Sequence, residues 1–244
     1  MKVNYKDLLN IYDLEIRKNC HNKRKIYLFE KNKMQNISNI YNLLINNNYN
    51  VGKYNIFIIR DPKYRIVMSL SVRDKIVNHY LARYVLIPKL DKYLDKRIVA
   101  TRSGYGTDYF IKLLKKYIEI NKRYVTFYIL KIDIKKYFYN IYHLVLKNLL
   151  IDKLDKDEYL LLEKIIDSTN SNYINEDISR LKEKIIKKNK KEKNKIIELP
   201  LYKKGKGLSL GAMTSQFLSI FYLYKLDHYI VNDLKLSNIV HYML

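Results

Sequence analysis

The stretch Tyr128-Ile-Leu-Lys-Ile-Asp133-Ile-Lys-Lys-Tyr-Phe138 decides how this chain is expected to fold. Residues 124–134 are rich in β-branched and aromatic side chains, which predicts a buried strand, and residues 136–150 carry apolar side chains at helical spacing. The predicted strand ends at Asp133. An ionised carboxylate there needs a partner, and the residues alone leave two open: the N-terminus of the next helix, or a metal ion.

Upstream of this stretch the pattern predicts a β-hairpin followed by a helix. Residues 54–59 and 64–70 resemble two strands joined by the proline turn Arg60-Asp-Pro-Lys63. Ser71 stands three residues before Asp74, which is the spacing of a capping box at the start of a helix. Apolar side chains then continue at helical period to about residue 86. Further helices are predicted over residues 5–17 and 37–46, and from an N-cap at Thr107 to about residue 119.

Downstream, residues 156–186 are predicted to be helical with a break at 168–172. Residues 182–206 contain 11 Lys against 3 Glu, a composition typical of a solvated face or a mobile loop. Thr214 or Ser215 is expected to cap an apolar helix, and residues 238–244 to form a final short strand.

The charge of the chain favours a polyanionic partner. Its 244 residues include 47 Lys and Arg against 24 Asp and Glu, a formal net charge of +23. Nucleic acid is the commonest such partner, although AT-rich codons also favour Lys, Asn, Ile and Tyr. Cys20 is the single cysteine, so neither an internal disulfide nor a thiolate metal site is expected. No signal peptide and no run of roughly 18 apolar residues is seen, which predicts a cytoplasmic location without a membrane.

Five sequence blocks resemble those of bacterial reverse transcriptases of the group II intron, retron and diversity-generating type. The stretch 130–141 resembles the first palm motif, and Lys206-Gly-Leu-Ser-Leu-Gly211-Ala-Met-Thr-Ser-Gln216 with residues 220–227 resembles the next conserved block. Residues 57–65, 73–79 and 102–107 follow the order and spacing of the finger motifs. The blocks cover residues 54–244.

The resemblance implies an α+β right-hand polymerase fold without its thumb. Residues 1–50 would be a basic helical extension, 51–123 the fingers with a small hairpin, and 124–244 a partial palm with a Lys-rich insertion at about 182–206. The implied reaction is RNA-directed DNA synthesis, in which a dNTP is added to a primer 3′-hydroxyl on an RNA template. Two Mg²⁺ ions, or Mn²⁺ in their place, would assist it. A structured RNA of a retroelement is a further candidate partner.

The resemblance also assigns roles to single residues. Asp133 and the carbonyl of Ile134 would bind the catalytic metal, Phe138 beside Tyr137 would exclude a ribose 2′-hydroxyl, and Lys63 and Arg65 would hold the triphosphate. Gly207, Gly211 and Gln216 would line the nucleotide and template. The side chains expected to contact nucleic acid are Arg102, Lys203, Lys204 and Lys206.

The chain departs from the family pattern at three places. Ser209 replaces a usual Pro and Ala212 a frequent Asn, which affects the rigidity of the loop and one polar contact. Leu244 stands where the first aspartate of a Tyr-x-Asp-Asp motif is expected. One carboxylate cannot hold two ions against their mutual repulsion, so the 244-residue chain alone is expected to be inactive or nearly so.

Three alternatives remain open at the level of sequence. The chain could be a non-catalytic RNA-binding remnant of a reverse transcriptase, or it could be an RNA-templated RNA polymerase, which Phe138 disfavours. It could also be a fragment that does not fold stably.

Overall fold

A computed structural model of the chain describes residues 1–241 except 21, 61, 100, 101, 103, 125 and 237. Helices dominate, and one two-stranded antiparallel sheet is formed by the described residues. The predicted α+β class is therefore confirmed. None of the described helices is long and apolar enough to cross a lipid bilayer.

The N-terminal region consists of four helices. They are α1 (Tyr5–Ile11), α2 (Arg17–Asn19), α3 (Lys23–Glu30) and α4 (Lys33–Ile45), and a π-helical turn, Tyr12–Ile16, joins the first two. The predicted helices over 5–17 and 37–46 are confirmed. The polar stretch between them also forms a helix, α3, because the Asn22 side chain accepts the Lys25 amide at 3.1 Å and caps its start.

The predicted hairpin is confirmed. Strand β1 (Asn55–Arg60) pairs antiparallel with β2 (Tyr64–Ser69), in a register that runs from Asn55 opposite Ser69 to Arg60 opposite Tyr64. One face is buried through Ile56, Ile66 and Met68, and the other is largely exposed. Alternation along each strand thus separates an apolar face from a face that meets solvent.

The next helices follow the predicted bounds closely. Helix α5 (Val72–Tyr80) begins where the Ser71 hydroxyl accepts the Asp74 amide at 3.1 Å, then continues through a π-helical turn, Leu81–Leu86, into α6 (Ile87–Leu90). A 3₁₀ turn, Asp91–Tyr93, ends this run. Helix α7 (Thr107–Asn121) begins one residue earlier than predicted, with Gly106 rather than Thr107 at the N-cap.

The buried strand predicted for residues 124–134 is wrong. The described residues of this segment form no strand, and their apolar side chains face solvent: Tyr128 is 93% exposed, Leu130 84% and Ile132 75%. A strand is stable only when neighbouring backbone satisfies its N–H and C=O groups, and the sheet of the described residues consists of β1 and β2 alone. The palm sheet expected from the resemblance is therefore not formed by the described residues.

The single helix predicted over residues 136–150 is two helices, α8 (Tyr137–Asn140) and α9 (His143–Leu150). The helix is interrupted because the carbonyl of Ile141 accepts the Gly207 amide at 2.8 Å and Tyr142 forms an antiparallel bridge with Lys206. Backbone groups that bond to a distant loop cannot also complete the hydrogen-bond pattern of a helix.

The helices predicted over 156–186 are confirmed, including their break. They are α10 (Lys156–Asp167) and α11 (Asn172–Lys188), separated by a 3₁₀ turn, Ser168–Asn170. The Lys-rich run is more ordered than predicted, since it continues as a 3₁₀ turn, Lys190–Glu192, and as α12 (Lys193–Ile197).

The last helices are α13 (Met213–Tyr222) and α14 (Tyr224–His228), followed by a π-helical turn, Tyr229–Asp233. The predicted caps of α13 are wrong: Ala212 is the N-cap, and the hydroxyls of Thr214 and Ser215 are buried in side-chain hydrogen bonds. Of the strand predicted over 238–244, residues 238–241 form only a bridge between His241 and Ile98, and residues 242–244 lie outside the described part.

Two apolar clusters hold these elements together. The larger one joins the N-terminal helices to α5, α9, α10 and α13, with Leu8, Ile40, Leu81, Leu146 and Phe221 among its buried members. The smaller one, the hairpin core, packs the buried face of the hairpin against α11, α12 and the chain after it, through Ile178, Ile196, Leu199 and Tyr202. A few apolar residues are enough to fold the Lys-rich run onto the hairpin.

This packing predicts different effects for two neighbouring isoleucines. Ile196 is 0% exposed in the hairpin core, whereas Ile197 is 54% exposed. We expect Ile196→Ala to lower the free energy of unfolding by roughly 2–5 kcal/mol, and Ile197→Ala to change it by less than about 0.5 kcal/mol. Equilibrium unfolding in urea measures both. Equal effects of the two substitutions would contradict the packing of the Lys-rich run on the hairpin.

Candidate functional site

The centre of the candidate site is the segment from Gly205 to Gly211, here called the glycine loop. Its Gly207 and Leu208 amides donate to the carbonyls of Ile141 at 2.8 Å and Phe138 at 2.9 Å. Its Leu210 carbonyl accepts the Met68 amide of β2, also at 2.9 Å. The loop therefore joins the hairpin to the α8–α9 junction through backbone bonds alone.

Buried side chains hold the glycine loop from behind. The carbonyl oxygen of Gly207 lies 2.7 Å from Nε2 of His143 and accepts the Thr169 hydroxyl at 2.8 Å. Because a carbonyl can only accept, Nε2 of His143 carries a proton. The Gly205 amide donates to Oδ1 of Asn170 at 2.8 Å, and the Gly205 carbonyl accepts the His143 amide at 2.9 Å.

The other ring nitrogen of His143 faces an ionic cluster. Nδ1 lies 3.1 Å from Oδ1 of Asp167, and the Lys147 ammonium bridges Asp167 at 2.5 Å and Glu163 at 2.9 Å. Burial alone would lower the pKa of Lys147, but its hydrogen bonds to the two carboxylates raise it above the usual value. The imidazole that orients the glycine loop is thus itself oriented by charged neighbours.

Gly207 has no room for a side chain. Its φ of +93° lies in the left-handed region, and a Cβ atom there would stand 2.8 Å from the Tyr202 ring. The Tyr202 hydroxyl in turn donates to the Leu208 carbonyl at 3.2 Å. The Tyr202 ring packs beside Tyr139 with a centroid separation of 4.9 Å. Burial raises the pKa of Tyr139 to about 12, so both phenols stay neutral near pH 7.

A second buried connection links α5 to α13. The Thr214 hydroxyl donates to Oδ1 of Asn78 at 2.5 Å, and the Asn78 amide group donates to the carbonyl of Asp74 at 2.9 Å. The fully buried Asp74 carboxylate accepts from Tyr49, Ser71 and Arg73. These contacts anchor the helix after the hairpin to the helix after the glycine loop.

The open side of the site is the exposed face of the hairpin. Phe57 lies opposite Val67 and Ile59 opposite Arg65, so all four side chains share one face. Gly211 approaches this face closely, since a Cβ at residue 211 would lie 3.4 Å from Cγ1 of Val67. Arg65 is exposed, Phe57 is 37% exposed and Ile59 38%, which gives a mixed apolar and cationic surface.

The predicted nucleotide-binding residues fall into two groups. Lys63, Arg65 and Gln216 are exposed, the first two at the hairpin and the third in the first turn of α13. Tyr137 and Phe138 are half-buried in α8 and pack against the main core. The Tyr137 hydroxyl donates to the Ser219 carbonyl at 2.6 Å, and burial raises its pKa far above the usual value.

The four predicted nucleic-acid contacts also differ in their surroundings. Lys203 and Lys204 are exposed. The Lys206 ammonium donates to the Tyr142 hydroxyl at 2.6 Å and lies 3.8 Å from its ring centroid, and this contact lowers the pKa of Tyr142. The Arg102 side chain is 8% exposed, because its guanidinium donates to the Asp91 carboxylate and to backbone carbonyls. Nucleic-acid contact by these residues stays a prediction.

The predicted metal ligands are not assembled into a site. Asp133 lies exposed in a segment without regular secondary structure, and Ile134 is 44% exposed. Within the part of the chain that the structure describes, no group of three or more His, Cys, Asp and Glu side chains is placed to hold a metal ion. Metal binding by Asp133 and Ile134 therefore stays a prediction.

The residues that position the glycine loop carry no local signal in the sequence. His143, Thr169 and Asn170 lie more than 30 residues from the glycines they hold. The histidines of this chain have no spacing that suggests a shared site, and His143 is read from sequence simply as a core or interface residue. Its role follows only from the fold.

Comparison with known proteins adds no assignment. A scan against models of protein families matches no family, and a search of curated proteins finds no significant match.

The glycine loop leads to a prediction on stability. Gly207→Ala places a side chain against Tyr202 at a positive φ, and we expect it to lower the free energy of unfolding by roughly 2–4 kcal/mol. Gly205 also has a positive φ but has open space around it, so Gly205→Ala should cost only about 1–2 kcal/mol.

Gly106→Ala is the control, because Gly106 has extended backbone and nothing within 4 Å of a Cβ. In urea unfolding, the loss in free energy of unfolding should be largest for Gly207→Ala, smaller for Gly205→Ala and smallest for Gly106→Ala. A neutral Gly207→Ala would contradict the packing of Tyr202 under the loop.

Proposed function

We propose that this chain is a reverse-transcriptase-type protein whose hairpin and glycine loop bind an RNA template and an incoming dNTP. The observation that carries the proposal is the glycine loop, which bonds to β2 on one side and to the carbonyl of Phe138 on the other. The loop belongs to block 206–216 and bonds to Phe138 and Ile141 of block 130–141 and to the hairpin that carries block 57–65, and the resemblance assigns all three blocks to one nucleotide site. The reaction of such proteins is template-directed nucleotidyl transfer to a primer 3′-hydroxyl, and we expect the 244 residues alone to be inactive or nearly so.

The surface chemistry of the hairpin supports binding of a nucleotide or strand. Lys63 and Arg65 are exposed beside the apolar side chains of Phe57 and Ile59. Cationic groups neutralise phosphate, an Arg guanidinium can hold two phosphate oxygens, and an aromatic ring can stack on a base. Gly211 next to Val67 leaves backbone accessible where a side chain would otherwise stand.

The packing of Phe138 favours the proposed role of a steric gate. Its ring is half-buried and lies edge-on to Tyr137, with 6.1 Å between centroids, and Tyr137 is anchored to the Ser219 carbonyl. An aromatic ring that discriminates deoxyribose from ribose by contact must not move aside, and this support restricts its movement.

A second candidate function is RNA binding without catalysis. The position of Asp133 favours it, because the carboxylate lies on exposed chain outside any sheet rather than at a rigid strand end. A catalytic carboxylate needs a supported geometry, whereas phosphate binding by Lys63 and Arg65 does not involve Asp133 at all.

RNA binding tests the proposed surface. We expect the double variant Lys63→Ala/Arg65→Ala to bind single-stranded RNA roughly tenfold more weakly, since two phosphate contacts are lost, and to reduce the slope of log K against log salt by about 1.4. Fluorescence anisotropy over a salt series measures both quantities.

The matched control is Lys23→Ala/Arg24→Ala, which removes one Lys and one Arg from the exposed part of α3. The proposed surface would be refuted if this control weakened binding as much as the hairpin variant.

Primer extension separates the two candidate functions. As a polymerase, the chain shows at most weak dNTP addition to an RNA-templated primer in Mg²⁺ or Mn²⁺, and Asp133→Ala should abolish that addition while RNA affinity stays unchanged. The exposed Asp152→Ala serves as a charge-matched control and should keep both properties. As a non-catalytic binder, the wild-type chain binds RNA without extending the primer. Loss of RNA affinity in Asp133→Ala alone would contradict both.

A further inference from the structure

The exposed segment around Asp133 offers unpaired backbone to a partner. Across residues 126–134, the N–H and C=O groups make no hydrogen bond to any other described residue. Tyr128, Leu130 and Ile132 are among the most exposed apolar side chains of the described chain. An exposed row of unpaired backbone groups with apolar side chains is a template for pairing with another strand.

The side chains from residue 130 to residue 135 alternate between apolar and charged in the way that a strand would use. Tyr128, Leu130, Ile132 and Ile134 form one apolar row, and the opposite face carries Phe127 and Ile129 followed by Lys131, Asp133 and Lys135. The charges on that opposite face alternate in sign. The segment therefore has the pattern of a strand but lacks a neighbour within the described structure.

The charge pattern is complementary to itself in one antiparallel register. If two copies pair about a two-fold axis at Ile132, Lys131 lies opposite Asp133 of the partner subunit. The symmetry gives two such opposite-charge pairs. On the other face Ile132 meets its own counterpart and Leu130 meets Ile134 of the partner subunit. Opposite charges and apolar pairs are the cross-strand combinations that stabilise a sheet.

Neighbouring registers lack this match. An axis at Lys131 or at Asp133 places like charges directly opposite each other, which is destabilising. An axis between two residues sets the apolar row of one copy opposite the charged row of the other. Charge complementarity thus selects both the partner and the register.

We propose that two copies of this chain associate through residues 130–134, paired antiparallel about Ile132. The contact is isologous, as in most homodimers, because the same segment serves both sides. It satisfies backbone groups that the described fold leaves open. In the dimer each Asp133 carboxylate faces a lysine of the partner subunit. The proposal rests on the exposed segment and not on the nucleic-acid function proposed above.

Charge reversal tests the register. We expect the full chain to show concentration-dependent dimers by sedimentation velocity at low salt, without nucleic acid or nucleotide. Lys131→Asp and Asp133→Lys each place like charges opposite one another twice, and should weaken the dimer at least roughly tenfold. The double variant Lys131→Asp/Asp133→Lys restores two opposite-charge pairs and should dimerise as the wild type does.

Mixing the two single variants gives an independent result. Lys131→Asp carries two acidic residues at positions 131 and 133 and Asp133→Lys carries two basic ones, so the two should form a mixed dimer tighter than either forms with itself. Ile132→Pro removes one amide donor from the centre of the ladder and should abolish pairing. Thermal melts followed by circular dichroism check that the variants remain folded, as expected for exposed positions.

Three results would overturn the proposal. The first is a wild-type chain that stays monomeric at all concentrations. The second is dimerisation of the single variants at wild-type strength. The third is a mixture of the two single variants that associates no better than either alone. None of these results bears on RNA binding or primer extension, so failure here is distinct from failure of the proposed function.

Discussion

The carbonyl oxygen of Gly207, held by His143 and Thr169, is the contact on which the rest of the candidate site depends. A loop with so few side chains has little packing of its own to define its path, and glycine loses more conformational freedom on folding than any other residue. Buried hydrogen bonds offset that loss here. Once Gly207 is placed, its amide and that of Leu208 reach the α8–α9 junction, and Leu210 reaches the edge of β2.

The buried face of the hairpin depends on a different kind of contact. A two-stranded ribbon is marginally stable alone in water. Here its apolar face is covered by α11, α12 and Tyr202, so the cationic side chains of the other face are displayed on a supported surface. The Lys-rich run supplies part of that cover. Most of its lysines are exposed to water, while Ile196 and Leu199 are buried.

The segment 126–134 shows the opposite case, in which local pattern finds no tertiary partner. Its side chains alternate like those of a strand from residue 130 onward, but a sheet is a collective structure in which each strand needs a neighbour. Without one, apolar side chains such as Leu130 remain in solvent. The same property leaves Asp133 unsupported and leaves the segment open to pairing with a second copy.

Sequence periodicity was sufficient for the elements whose stability is local. Alternation, helical spacing and side-chain capping all act within a few residues. They account for the hairpin, for α4 before it and α5 after it with its Ser71 cap, and for the break near residue 170. Tertiary structure decided the rest. The break at Ile141, the start of α13 at Met213 and the folding of the Lys-rich run all arise from partners tens of residues away, and so does the role of His143. The described part of residues 124–134 forms no strand, because no neighbouring strand pairs with it. Composition specifies which face of a strand is apolar but not which chain will pair with it.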